Sequence, residues 1–166
     1  FLADLEKAES ARFYRAVGKY SFLSNLYRRP IMFHDRWSDP PGGLSEFRSA
    51  EDAYQYGKPR RPEVARWLIA APTPHLCALA AHALFVYDVN ANWNDMKVER
   101  MRRVLLAKFS QHDDLRSALL LTGDAALIEE SKMDAFWGLG AKGLGKNMLG
   151  VLLMETREAL RGKPLA

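Results

Sequence analysis

Glu51, Tyr54, Gln55 and Lys58 stand at spacings of 0, 3, 4 and 7. On an α-helix those offsets fall along one stripe, so a carboxylate, an aromatic ring, an amide and an amine project together. An acid beside an amine can carry a proton or form an adduct with a carbonyl-like carbon. Charges at this spacing also suit a solvated amphipathic helix, and Glu51 with Lys58 alone says little. A second stretch, "GLGAKGLGKNMLG" at 138–150, fits two phosphate-binding patterns at once. Gly138, Gly140 and Gly143 spell G-x-G-x-x-G, and Gly140 through Lys146 spell G-x-x-x-x-G-K. Glycine lets backbone N–H groups approach a phosphate, and a helix start adds its dipole. Neither pattern keeps its context. The dinucleotide fingerprint follows a buried strand in a βαβ unit, whereas "KMDAFW" precedes this one. A P-loop needs Ser or Thr after its lysine, where this chain has Asn147. What remains is a glycine loop with Lys142 and Lys146 running into a helix, and on this stretch alone a plain glycine-rich linker is the slightly favoured reading.

Two tryptophans adjoin these stretches. Trp93 sits in "NANWNDMK" before a long helix, and Trp137 sits between Asp134 and the glycine loop. A ring beside a phosphate-friendly loop can stack on a base, although core packing is the commoner use of either. Trp37 and Trp67 are assigned to packing or loop.

The elements that must position these groups follow from pattern and punctuation. "RFYRAV" and "YSFLS" have the aromatics and alternation of short strands or extended segments, and "PIMFHD" of a strand. "SDPPGGLSE" is then a loop rich in breakers. Ser49 with Asp52 three residues on resembles a weak capping box, opening a helix to about Lys58. Pro62 begins the next helix, and Thr73-Pro74 one through Phe85. Asn94 or Asp95 caps a long helix whose Val98, Met101, Leu105 and Phe109 recur on one face. "DDLRSALLLTG" is a helix closed by Gly123, "AALIEES" a short strand, and "KNMLGVLLMETREALRGK" the last helix. Helices dominate, strands are few and short, and β-α alternation is absent, so the class is α+β, predominantly helical.

The 166 residues fit one domain, and 48% hydrophobic with 27% charged residues is a globular composition. No apolar run is long enough to span a membrane, and the beginning shows no export signal; a cytosolic compartment is expected. The missing initial Met suits a trimmed chain or one domain of a longer one. Cys77, the sole cysteine, lies in an apolar stretch and is expected to be a buried thiol. His34, His75, His82 and His112 are scattered, so no metal-ligand spacing appears and no cofactor is implied. The net charge of +4 is mild. Lys58, Arg60, Arg61 and Arg66 cluster, as do Lys97, Arg100, Arg102, Arg103 and Lys108, which suits phosphate-bearing ligands. A solvated helix face explains the second cluster as well.

Taken in order, "FLSN" at 22–25, "SAEDAYQYGK" at 49–58, "NW" at 92–93, "LLAKF" at 105–109, Thr122-Gly123-Asp124 and "DAFWGLGAKGLGKNMLGVLLMETR" at 134–157 resemble the NADAR (NAD and ADP-ribose associated), or YbiA-like, family. The resemblance runs from Phe13 to about Arg161, which sets residues 1–12 apart as an extension before a domain at 13–166. It implies the YbiA-like fold and N-glycosidase chemistry that cleaves a ribose from an exocyclic amine. The implied substrates are ADP-ribosylated guanine made by DarT-type toxins, in nucleic acid or nucleotide, or ribosylamino-pyrimidine intermediates of riboflavin synthesis. A third possibility is a non-catalytic module that binds ADP-ribose or NAD. By position, Glu51 matches the family's essential acid, Lys58 its following lysine, Asn25 its S-N asparagine, Trp93 its N-W tryptophan, and Asp134 and Trp137 its D-x-x-W-G pair. The glycine loop matches a W-G-x-G…G-x-N-x-L-G ligand-pocket element. The family's histidine after the glutamate is Asp52 here, which puts that histidine's role in doubt.

Glu51, Lys58 and Asp134 are therefore expected to be catalytic, with Glu51 and Asp134 the two acids. Lys58 is the first candidate for an amine that forms a Schiff base, and Lys108 the second. Asn25, Gln55, Trp93, Lys108, Trp137, Gly138, Lys146 and Asn147 are expected to bind ligand. Lys146 and the amides near Gly143 to Asn147 would hold phosphate, while Trp137 or Trp93 would stack a base.

Overall fold

The computed structural model describes residues 9–162, so residues 1–8 of the expected N-terminal extension lie outside the described residues. Among the described residues four strands and six α-helices give a helix-dominated α+β fold. It divides into two compact units, one formed by Arg28–Ala107 and the other by Phe1–Tyr27 with Lys108–Ala166.

The Arg28–Ala107 unit opens with an antiparallel hairpin in which β2 (Arg28–His34) pairs with β3 (Leu44–Ser49). Ile31 lies opposite Phe47, and both point inward, as does Phe33. Burying each such side chain stabilises by ~1.5–3 kcal/mol. The stretch 44–46 was expected to be loop. It has a single large apolar residue, and only pairing with β2 makes it a strand.

Ser49 ends β3 and caps the next helix, its Oγ accepting from Asp52 N at 3.1 Å. Helix α1 (Ala50–Tyr56) thus follows the strand with no loop, and all seven residues are buried. Ala50, Ala53 and Tyr56 pack on the hairpin phenylalanines, Ala65 and Val104; the two alanines let the helix approach closely.

Two helices follow, α2 (Pro62–Ile69) and α3 (Pro74–His82), the latter capped by Thr73 Oγ1 on Leu76 N at 3.2 Å. α3 stops at His82, short of the expected Phe85, and a 3₁₀ turn covers Val86–Asp88. Cys77 is fully buried, as expected, with Leu68 and Ala81. Trp67, expected in packing or loop, is instead exposed on α2. The long helix α4 (Trp93–Ser110) begins at Trp93 itself, so Asn94 and Asp95 are its first turn and not its cap. Met101, Leu105 and Phe109 are buried.

In the other unit β1 (Ser10–Phe13) runs parallel to β4 (Ala126–Glu129), with Ala11 opposite Leu127. "YSFLS", expected to be extended, holds a 3₁₀ turn at Ser21–Leu23. Helix α5 (Asp113–Leu121) ends before Gly123, whose φ of +57° suits glycine. Helix α6 (Met148–Leu160) packs against β4 and α5. Buried Arg157 ties α6 to the turn between them, donating to Thr122 Oγ1 at 2.7 Å and Ala125 O at 2.9 Å. Among the described residues no helix is long and apolar enough to cross a membrane.

Candidate active site

The α1 stripe is buried, not solvated. Gln55 Nε2 donates to Glu51 Oε1 at 2.8 Å, one turn away. An ionised carboxylate only accepts, so the amide must face Glu51 with its nitrogen. That leaves Gln55 Oε1 at the other end, buried and without a donor among the described residues. An unmet buried acceptor is costly in a folded chain, and such an atom is available to a ligand.

Lys58 follows the helix, half-buried, with Nζ donating to Ala81 O at 2.5 Å. Burial pushes its pKa down, the Glu51 carboxylate pushes it up, and Lys97 lowers it further; the net direction is down. A lysine with a lowered pKa has more free amine at neutral pH. To act as nucleophile it must release Ala81. Tyr54, from the same stripe, packs on Trp93 with ring centroids 5.1 Å apart, and both are buried.

Asp52, at the position of the family histidine, belongs to another network. It is 1% exposed and accepts from Arg48 Nη2 at 3.2 Å as well as pairing with Arg48 Nε. Burial raises the Cys77 thiol pKa strongly, and the charge of Asp52, to which the thiol also bonds, adds to the rise. Asp52 therefore fixes α1 against Arg48 and α3.

Arg100, placed by its sequence neighbours in a phosphate-binding cluster, is likewise internal. It pairs with buried Asp35 at 2.6 Å and donates to Tyr54 O at 2.9 Å and to Ala53 O. It thereby satisfies the last carbonyls of α1, a partner that sequence reasoning missed because it comes from 46 residues away. Gly57 makes room for it: a Cβ there would strike the guanidinium.

The glycine loop belongs to the other unit. Asp134 Oδ1 accepts from Phe136 N at 2.8 Å and Trp137 N at 2.7 Å, which makes it a turn-forming residue. The Trp137 ring meets Phe136 edge-on at 5.0 Å, and Lys146 Nζ lies 5.3 Å from the Phe136 centroid. The amides expected to hold phosphate are used inside the loop. Gly143 N donates to Gly140 O, Gly145 N to Leu139 O, Lys146 N to Ala135 O and Asn147 N to Gly138 O, all at 2.7–3.1 Å. The expected cradle is not built from them, and Lys146 alone of that set offers its side chain outward.

The glycines serve close packing. A Cβ on Gly138 would lie 2.9 Å from Glu129 O, and one on Gly145 would run into Gly138 O and Leu139. Asn147, in the left-handed region at φ +49°, accepts from Glu129 N and donates to Leu127 O, both at 2.9 Å. Its amide thus continues the ladder on the free edge of β4. A shallow hollow of about 220 Å³ in this loop is lined by Ala135, Leu139, Gly140, Ala141 and Leu144 with Lys142, an apolar surface suited to a ring.

Asn25 is buried in the same unit, next to the turn that Lys108 holds. Lys108 is fully buried, and its Nζ donates to Phe22 O at 2.6 Å and Ser24 O at 2.9 Å. Burial lowers its pKa to about 7. The structure thus brings Glu51, Gln55 and Lys58 together in one unit, and Asp134, Trp137, Gly138, Lys146 and Asn147 in the other. Among the described residues no group of three or more His, Cys, Asp or Glu side chains is arranged to hold a metal.

The arrangement is an α+β protein with a buried carboxylate and amide on one helical stripe and a half-buried amine just past the helix end. The NADAR domain matches residues 12–161. The chain is 54% identical over 149 residues to the N-glycosidase YbiA of Shigella flexneri, covering 89% of this chain and 86% of that protein. With the N-glycosidase YbiA of Escherichia coli the aligned stretch is 69 residues at 54% identity and spans 43% of that protein. The NMR structure of E. coli YbiA superposes with a TM-score of 0.76 and 32% identity over 92% of this chain and 86% of that one. A riboflavin biosynthesis protein of Vibrio vulnificus is 49% identical over 70 residues, 42% of this chain and 19% of that protein. The chain belongs to the NADAR family, whose named relatives here include N-glycosidases.

Proposed function

We propose that this protein is a cytoplasmic N-glycosidase that hydrolyses the bond between a ribose C1′ and an exocyclic amine, with ADP-ribosylated guanine as substrate. The observation that carries the chemistry is the buried Glu51–Gln55 pair with an amine of lowered pKa two turns along. Water adds to C1′ as the C1′–N bond breaks, and the bonding pair stays on nitrogen. Glu51 takes the proton from water and returns it to the departing amine. Gln55 holds the carboxylate and presents its own oxygen to the sugar hydroxyls or the base. In the alternative route the ring-opened ribosylamine is an imine. Lys58 Nζ then replaces the base nitrogen at C1′, and water hydrolyses the new imine.

The +4 charge favours a phosphate-bearing substrate. The functional counterpart in this reading is a DarT-type ADP-ribosyltransferase, which makes that substrate. A second reading, a ribosylamino-pyrimidine phosphate, is favoured by the name of the Vibrio relative. Both have the same bond to cleave. Incubation with each substrate side by side decides between them: release of ADP-ribose from guanine is expected, and release of ribose phosphate alone selects the second reading. Turnover of neither, with tight ADP-ribose binding, leaves a binding module. Borohydride added during turnover is expected to trap sugar on Lys58. An adduct on Lys108 would reassign the amine, and an active Lys58→Ala without adduct selects direct attack by water.

A further inference from the structure

We propose that Phe85, Tyr87 and Arg60 form a docking surface for single-stranded nucleic acid beside the segment that carries Lys58. Residues 58–60 and 88–90 run antiparallel. Asn90 N donates to Lys58 O at 2.9 Å, Arg60 N donates to Asp88 O at 2.7 Å, and Pro59 bridges Val89. The 3₁₀ turn at Val86–Asp88 leads into this pairing, so its rings are fixed to the strand that leaves the α1 stripe.

Phe85 and Tyr87 are 66% and 64% exposed, yet their rings lie parallel, 8° apart, with centroids at 5.3 Å. Two large rings that pack on each other in solvent keep apolar faces exposed, which a monomer gains nothing by. Every nucleobase offers a π-face to such a platform, and a single strand leaves that face accessible.

Charge selects among occupants. Arg61 Nη2 neutralises the Asp88 carboxylate at 2.7 Å, and Arg66 lies 3.8 Å from Glu63. Arg60 is exposed, and among the described residues its guanidinium has no partner. The surplus cation beside the rings complements a phosphodiester. The basic cluster of the sequence thus divides into Lys58 turned inward, two paired arginines and one arginine left for the backbone of a strand. That the bound strand feeds a modified base to Glu51 rests on the proposed function; strand binding itself does not.

The test is fluorescence anisotropy with an unmodified, labelled single-stranded oligodeoxynucleotide of roughly 12 bases. The protein is expected to bind it in a salt-dependent way, and the Phe85→Ser/Tyr87→Ser double variant to weaken binding by about tenfold or more. Arg60→Ser should reduce the salt slope by about 1. Thermal midpoints should stay unchanged, because all three side chains are exposed, and release of ADP-ribose from a mononucleotide substrate should persist. No binding by the unaltered protein, or equal binding by the variants, overturns the proposal. So does a change in sedimentation on mutation with strand binding unaltered, which would assign the face to a protein partner or a second copy. Strand binding without hydrolysis would instead remove the proposed activity and leave the surface standing.

Discussion

Two carboxamides in this molecule are used in opposite ways. Asn147 gives both ends to β4, its oxygen to Glu129 N and its nitrogen to Leu127 O. Gln55 gives its nitrogen to Glu51 and keeps its buried oxygen without a donor among the described residues. The same contrast holds for the surroundings. In the glycine loop the amides of Gly143, Gly145, Lys146 and Asn147 all donate to loop carbonyls. On α1, buried from end to end, polar groups are held in place with bonding capacity left over. A stretch rich in glycine can therefore be a packing device, while an ordinary-looking helix buries an acid and an amide side by side. An unmet buried acceptor is a sharper candidate for a ligand contact than a glycine motif whose amides are already used.

The largest effect should come from filling the packed side of this contrast. A Cβ at Gly150 would run into Leu127 O and the Asn147 amide, where backbone cannot move aside. Gly150→Ala is expected to cost more than about 4 kcal/mol, measured as a lost or sharply lowered unfolding transition. A normal transition would mean that the loop is loose enough to serve as a phosphate cradle after all.

On the other side, Glu51→Gln should leave the fold intact and lower kcat by about a hundredfold or more. Near-wild-type turnover by a folded variant would remove α1 from the chemistry. Asn147→Ala should cost about 2–3 kcal/mol for two lost bonds to β4, with ligand affinity unchanged once the protein is folded. A selective loss of ADP-ribose binding at full stability would make Asn147 a ligand contact instead.

The two inward lysines sharpen the comparison. Lys58 has Glu51 as a charge partner, whereas Lys108 donates to two neutral carbonyls. The folded-state pKa of Lys108 is about 7, against about 10.4 unfolded. Between those values the unfolded chain binds the extra proton, so stability rises with pH, by at most ~1.4 kcal/mol per unit. Below pH 7 the charge is carried in both states and the cost is present in full. Denaturant titrations from about pH 7 to 9 should show this rise, and Lys108→Met should flatten it. An equal slope in the variant would assign the rise to other groups. The smallest effect is expected for Lys146→Ala: phosphate-bearing ligands should weaken roughly two- to fivefold, free ribose not at all, and magnesium should make no difference.

Much of this was legible in the chain. Offsets of 0, 3 and 4 put Glu51, Tyr54 and Gln55 on one stripe because helical geometry is local, and Ser49, Pro62, Thr73 and Gly123 mark helix ends for the same reason; α1 stops at Tyr56, so Lys58 lies past it and not on the stripe as expected. The ordered motifs gave the family. What neighbours in space supply was not legible. The strand at 44–49 exists through its register with β2, and the 3₁₀ turn at Ser21–Leu23 replaces an expected extended run. Arg100 reads as surface charge until Asp35 and the carbonyls of α1 close around it. Asp52 reads as a variant of a site residue until Arg48 and Cys77 claim it. Local periodicity fixes which side chains share a face. Whether a polar group on that face is spent on the fold or left for a ligand depends on partners distant in sequence, and so only the tertiary structure decided it.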